Sequence, residues 1–346
     1  MNHHSIRILL GTPLPAKPKP WLHFRVPGIV INAFQLYRSP SILEKIREVG
    51  GVRKYLEVTD DVEIWVDSGG FQFMRHGISI TVNEIARVYR VLRDVDYFVN
   101  LDYPPTPYDT IDEAKKKVVA THRNYIFLME YLGRDKVVPV LHIQRSLDLI
   151  KTQVKLYENC EKIAIGGLVP YVLISRGIRR SREYSIYVLK LFRDYFSRSR
   201  IHVLGIGSPT VVPILSVLNI DSTDSSTWRV KAAYGKVIVP GIGERHVTNR
   251  VIRFGRRRMS HDELSELINT LRITGFPLLS EVDSLLTTFE GRALINAWVL
   301  IYAVSQYPLS SPFRKLLRIA MRIREVPREE VERVIEVMST RLLETM

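Results

Sequence analysis

Short runs of β-branched and apolar residues, each closed by Gly, Asp, Ser or Pro, recur along the first two thirds of the chain. They read IRILLGTP (6–13), GIVINAF (28–34), VEIWVDSGG (62–70), DYFVNLDYPP (96–105), VVPVLHIQ (137–144), KIAIGGLVP (162–170), IHVLGIGSP (201–209) and NIDSTDSS (219–226). Between most of them the apolar positions fall at helical spacing, as in Val82 to Val95 and Asp112 to Leu132. Thr81 with Glu84 makes the capping-box pattern that opens the first of these helices. Strands alternating with helices predict a parallel sheet, and eight strands fit a closed (β/α)8 TIM barrel, with a doubly wound open sheet as the alternative.

After about residue 250 the pattern changes to helices alone: His261 to Ile273, Leu278 to Thr288, Arg292 to Val304, Pro312 to Arg324 and Arg328 to Leu343. The expected organisation is a barrel over 1–250 and a C-terminal helical extension over 251–346, joined by the basic stretch RVIRFGRRR (250–258). The longest apolar run, ALINAWVLIYAV (293–304), has the length of a buried core helix and is too short to span a bilayer. The N-terminus lacks the basic start and long apolar core of a secretion signal, so a soluble, cytoplasmic protein is expected.

Composition adds two constraints. Of 346 residues 46% are hydrophobic, enough for a sizeable core, and the single cysteine, Cys160, excludes an internal disulfide framework or a Cys-rich zinc site. Lys and Arg number 50 against 36 Asp and Glu, a formal charge of +14, which favours a polyanionic partner.

In a barrel of this kind the C-terminal ends of the strands share one mouth, where such enzymes do their chemistry. That brings Asp67, Ser68, Gly69, Gly70, Phe71 and Gln72 together with Asp102, His142, Gln144, Gly166, Gly167, Gly205, Gly207, Asp221 and Asp224. Glycines allow backbone N–H groups to approach a flat ligand, an aromatic ring offers a stacking face, and carboxylates and amides can read a nucleobase edge. Two of the acids could also act on a glycosidic bond of a carbohydrate, against which the basic charge and the absence of a Trp at these strand ends argue. Asp221 and Asp224 are an odd number of positions apart, so on one continuous strand only one of them faces the mouth. His142 on an apolar strand also reads as a satisfied core histidine, Phe71 also reads as core, and Cys160 reads as inert.

The motif DSGGFQ (67–72) resembles the signature of the tRNA-guanine transglycosylase superfamily, whose (β/α)8 barrels exchange a guanine in nucleic acid for a 7-deazaguanine. LDYPP with Asp102, VLHIQ with His142 and Gln144, IGGLVP with Gly166 and Gly167, LGIGSP (204–209) and IDSTDSSTW with Asp224 follow in the family's order. The resemblance implies that Asp224 is the nucleophile toward C1′ of the target nucleotide and Asp67 the general acid/base. It further implies that Phe71 stacks on the purine, Asp102 accepts from its N1–H and 2-amino edge, Gly167 offers a backbone N–H, and either His142 or Gln144 meets O6. No cofactor is implied beyond the incoming base.

The chain departs from the pattern in one respect. GRALINAW (291–298) resembles the helix that carries the histidine of the family's zinc site, but Asn296 stands at the ligand position and no cysteine precedes it. The packing of 278–304 is expected to replace the metal. The run DSSTW (224–228) is more similar to the branch called deoxypurine-in-DNA protein A than to the tRNA enzymes. Arg176, Arg179 and Arg180, with Arg256, Arg257 and Arg258, are candidate contacts to nucleic-acid phosphates. DNA is therefore expected as the substrate ahead of tRNA, with no membrane association, and with a homodimer or a partner protein compatible with the sequence. A catalytically silent binding subunit is the remaining alternative, against which the retention of Asp67 and Asp224 argues.

Overall fold

Nine parallel strands form one sheet: β1 (Arg7–Gly11), β2 (Gly28–Asn32), β3 (Glu63–Asp67), β4 (Tyr97–Val99), β5 (Val137–Val138), β6 (Val140–His142), β7 (Lys162–Gly166), β8 (Arg200–Val203) and β9 (Ser222–Ser225). The computed structural model describes residues 6–92, 94–172, 180–248, 257–306 and 308–344. The strand order is β5-β4-β3-β2-β1-β9-β8-β7-β6, and its two ends are consecutive in the chain, separated only by Pro139. Pro139 has no N–H to give to a ladder, but its carbonyl still accepts from Ala164 N at 2.9 Å. The β5–β6 stave thus pairs with β4 on one side and β7 on the other, and the eight staves close into a nearly complete TIM barrel.

Alternation along the strands sorts side chains between the barrel lumen and the helical shell. Leu9, Val30, Trp65, Val99, Val140 and Ala164 fill the lumen, and the outward-facing Leu10, Ile29, Ile64, Val66, Ile163 and Ile165 join the much larger shell core. At the foot of the lumen Arg7 reaches Glu63 at 2.7 Å, and Lys162 lies over the Tyr97 ring. A charged floor, an apolar middle and an open top therefore follow from a period of two.

The helices largely match the expected spans. The Thr81–Glu84 capping box is formed, although its helix, Val82–Val91, stops short of Val95. A second box, Thr110 with Glu113, opens Ile111–Leu132. Beyond the barrel stand helices His261–Ile273, Val282–Thr287, Phe289–Tyr302, Ser311–Ile323 and Arg328–Glu344. An antiparallel hairpin, β10 (Lys236–Val239) and β11 (Gly243–His246), comes before them. Trp298, Leu316 and Ile335 belong to the same continuous core as the barrel shell. No helix among the described residues is long and apolar enough to cross a membrane.

The residues of 289–302 do not fit a metal. Asn296 is fully buried, accepts from Ile238 N at 2.8 Å, and donates to Trp228 O at 3.2 Å and Lys236 O at 3.1 Å. Both ends of its amide are committed to backbone, and it thereby ties this helix to β10 and to helix Thr227–Ala233. No cluster of His, Cys, Asp and Glu suited to a metal occurs among the described residues.

Candidate active site

The open top of the barrel is a cavity of about 500 Å³ lined by Asp67, Asp102 and Asp224, with Phe71, Gln72, Gly166 and Gly167 around them. Three carboxylates from three staves meet there because each stands at the last inward position of its strand or just beyond it. Asn32 and Asp67 are direct partners in the β2–β3 register, and Asn32 Nδ2 donates to Asp67 Oδ2 at 2.7 Å. Burial pushes the Asp67 carboxyl up to about 7, and the charges of Asp102 and then Asp224 push the same way. A carboxylic acid titrating near neutrality can both give and take a proton at physiological pH.

Asp102 is buried and held on both oxygens, with Ser68 Oγ 3.3 Å from Oδ1 and His142 Nε2 2.8 Å from Oδ2. His142 is itself fixed by Gln153, whose side chain accepts from His142 N at 2.8 Å and donates to His142 O at 3.0 Å. Gly70 packs so closely on Asp102 that a Cβ would lie 2.3 Å from its carbonyl oxygen and from Oδ1. Ser68, Gly69 and Gly70 are buried and lie outside the cavity lining; they set the positions of Asp67 and Asp102 while Phe71 and Gln72 face the ligand space.

Asp224 sits on β9 with its Oδ1 accepting from Gly205 N at 2.7 Å and 3.4 Å from His202 Nε2. The LGIGSP run supplies the clamp. Gly207 N donates to the Asp224 carbonyl at 2.9 Å, and a Cβ on Gly207 would lie 2.4 Å from that oxygen. His202 is buried beneath the carboxylate, stacks on Trp65 with ring centroids 4.6 Å apart, and contacts Ser222 Oγ through Nδ1 at 2.9 Å. His202 was not among the sequence candidates. Its parity with Asp224 through the register partner Ser222 is the signal that could have found it.

Of the two acids an odd number of positions apart, Asp224 faces the mouth and Asp221 does not. It lies at the opposite end of β9, where its carboxylate pairs with Arg193 at 2.9 Å and accepts from Ile201 N. His142 and Gln144 also lie outside the cavity lining. His142 backs Asp102, and Gln144 is buried, with no hydrogen-bond partner for Nε2 among the described residues. Arg229 lines the cavity and was not anticipated; its guanidinium is fixed by the Lys17 carbonyl and lies over the rings of Trp228 and Phe289.

Of the candidate phosphate contacts, Arg176, Arg179 and Arg256 fall outside the described residues. Arg180 pairs with Glu183 at 3.1 Å and Arg257 with Glu263 at 3.4 Å, while Arg258 is exposed beside β11.

The fold and site define a TIM-barrel protein whose mouth sets three carboxylates around a slot with one aromatic wall. The chain is 25% identical over 229 residues to the tRNA-guanine(15) transglycosylase of Thermococcus onnurineus, a match covering 64% of this chain and 37% of that enzyme. It is 28% identical over 227 residues to the enzyme of the same name from Saccharolobus solfataricus, covering 61% and 42%. An uncharacterised protein of Sulfolobus islandicus rod-shaped virus 1 is 26% identical over 253 residues, covering 71% of this chain and 72% of the viral one. The matched region thus spans less than half of these two tRNA enzymes. No family model matches the chain. With the ordered motifs and the barrel, these likenesses make the chain similar to the tRNA-guanine transglycosylases over about 60% of its length.

Proposed function

We propose that the protein is a guanine transglycosylase that replaces guanine in DNA with a 7-deazaguanine base through a covalent intermediate on Asp224. The observation that carries this reading is the division of labour between two carboxylates in one cavity. Asp67 is driven toward neutrality by burial and by its acidic neighbours, whereas Asp224 is aimed by the Gly205 N–H.

In the first displacement an Asp224 oxygen attacks C1′ of the target nucleotide. The C1′–N9 bond breaks toward the base, and Asp67 delivers its proton to the departing guanine. In the second, Asp67 takes the proton of the incoming base, whose nitrogen attacks C1′ and releases Asp224. Two displacements at one carbon retain its configuration. Phe71 covers the purine face, and Asp102, held by Ser68 and His142, presents its free lone pairs to the N1–H and 2-amino edge. The target nucleotide must leave its stack to reach a slot of this depth.

The charge of +14 supports a nucleic-acid substrate, and the DSSTW run that begins in β9 supports DNA as the polymer. The test is incorporation of labelled guanine or 7-cyano-7-deazaguanine into duplex DNA, single-stranded DNA and tRNA, with Asp224→Ala as control. Label in DNA, absent with the variant, is the expected result. Label in tRNA alone would keep the chemistry and overturn the polymer, which the names of the tRNA-modifying relatives make the second reading. Label nowhere would leave a missing partner protein or a silent binding subunit.

A further inference from the structure

Helix Ser311–Ile323 (SPFRKLLRIAMRI) contains no acid and packs along helix Ser181–Tyr195 through Leu316, Ala320 and Ile323. That leaves Arg314, Lys315, Arg318 and Arg322 exposed on its outer side. Lys315 reaches Glu183 at 2.6 Å. Arg314, Arg318 and Arg322 have no acidic partner among the described residues, although they succeed one another at single-turn intervals where like charges repel. A protein gains nothing in stability from such a row, so the row points to a ligand that neutralises it.

Its placement gives the ligand a route. Helix 181–195 follows β7 and runs back antiparallel to the strands, so its first turn is at the mouth end of the barrel. There Ser181 Oγ donates to Tyr171 O at 3.0 Å and Arg182 Nε to Val172 O at 2.7 Å, in the segment that follows the cavity-lining Gly167 to Pro170. Helix 311–323 runs parallel to it: Lys315 meets Glu183 at one end, and Lys190 Nζ meets Val326 O at 3.2 Å at the other. The cations therefore begin beside the rim and descend the outer wall for about 12 Å from Arg314 to Arg322. Duplex DNA carries a charge every ~1.7 Å of axis, so a row of this length faces several phosphates. None of the exposed residues of this helix is aromatic, which suits a backbone contact and offers no stacking platform to splayed single-stranded bases.

We propose that the Arg314–Arg318–Arg322 row is a docking ridge for the phosphate backbone of duplex DNA flanking the nucleotide held in the mouth. The link to the mouth rests on the base-exchange reading above; the ridge itself is testable without catalysis. Binding of a labelled DNA duplex is measured by fluorescence anisotropy across a KCl titration, with competing tRNA in a parallel arm. The chains compared are the unmodified protein, the triple variant Arg314→Gln/Arg318→Gln/Arg322→Gln and the matching triple Arg→Lys variant. Three lost phosphate contacts should reduce the slope of log K against log[KCl] by about 2.7 and weaken binding at least tenfold near 0.15 M salt. The Lys variant should keep most of both. Should the triple Gln variant melt early, the single variant Arg318→Gln is read for a slope change of about 1. Equal slopes for Gln variants and unmodified chain overturn the ridge, as does a loss confined to tRNA or a failure of the unmodified chain to bind DNA. An Asp224→Asn chain that binds DNA with the full slope, alongside an unmodified chain that exchanges no base, would keep the ridge and sink the base-exchange reading.

Discussion

Asn32 and Asp67 face each other across the β2–β3 register, and the Asn32 amide donates to the Asp67 carboxylate at 2.7 Å. A donor favours the charged form of its acceptor, so Asn32 opposes the burial and the neighbouring acids that push Asp67 up to about 7. Replacing Asn32 with Ala should raise Asp67 further. The alkaline limb of the pH–rate profile, where the acid that protonates the departing base is lost, should start near pH 7 in the unmodified protein and move upward in Asn32→Ala. The rate at the optimum should drop about tenfold through lost positioning of Asp67. A limb that stays in place would remove Asp67 from the acid role or Asn32 from its control.

The same carboxyl makes stability depend on pH. Its ordinary value is 3.8 and its folded value about 7, so between these limits the folded chain holds a proton that the unfolded chain has lost. Stability from this group is full below pH 4, declines as pH rises, and reaches its minimum above pH 7. Asp67→Asn removes the buried charge and should be more stable than the parent at pH 8 by up to about 4 kcal/mol, with the gap narrowing as pH falls toward 4. Denaturant midpoints at pH 5, 6, 7 and 8 measure it; a gap independent of pH would contradict the assignment.

The barrel was legible because its signal is periodic. Each of the eight apolar runs contributes one stave, and only the break at Pro139 and the hairpin 236–246 were not read. The carboxylates Asp67, Asp102 and Asp224 were legible for the same reason, since strand ends in this topology converge. What a linear pattern does not carry is depth. Ser68, Gly70 and His142 were expected at the ligand, but they pack behind the acids because their partners come from strands dozens of residues away. Strand parity allowed only one of Asp221 and Asp224 to face the mouth, and Asp221 is the one committed elsewhere, to Arg193. His202 escaped notice because nothing in IHVLGIG itself marks a histidine as facing a carboxylate two residues past its register partner on the adjacent stave.

Gly70 offers a separation of binding from folding. A methyl group there would meet the Asp102 carbonyl and Oδ1 at 2.3 Å, so Gly70→Ala must displace Asp102, the residue proposed to read the base edge. The expected result is a rise of tenfold or more in KM for the free base, with the circular dichroism spectrum retained. An unchanged KM would mean that Asp102 does not recognise the base.

Asn296 is expected to be a structural hub with no metal beside it. Asn296→Leu keeps the volume but strips partners from Ile238 N, Trp228 O and Lys236 O, all reached from a fully buried side chain. Unsatisfied buried groups cost about 1–3 kcal/mol each, so a loss of at least 2 kcal/mol in urea unfolding is expected. EDTA should leave the melting temperature of the unmodified protein where it was. A chelator-induced fall would reveal a metal that the helix 289–302 does not hold.

His202 should tune the nucleophile without touching the base, because its Nε2 is 3.4 Å from Asp224 while the ring lies outside the cavity lining. His202→Phe retains a ring to stack on Trp65 but removes the contact to Asp224 and leaves Ser222 Oγ without its imidazole partner. The Gly205 N–H still holds the carboxylate at 2.7 Å, so the loss should be that of one modest hydrogen bond, about 1 kcal/mol or a fivefold slower formation of the glycosyl-enzyme. KM for the incoming base should not move, and Asp224→Asn should abolish the intermediate altogether. Trapping the covalent complex by rapid quench separates these effects. A thousandfold loss in His202→Phe would make the imidazole a participant in proton transfer, and a changed KM would place it in the base pocket; either result would replace the positioning role argued from this geometry.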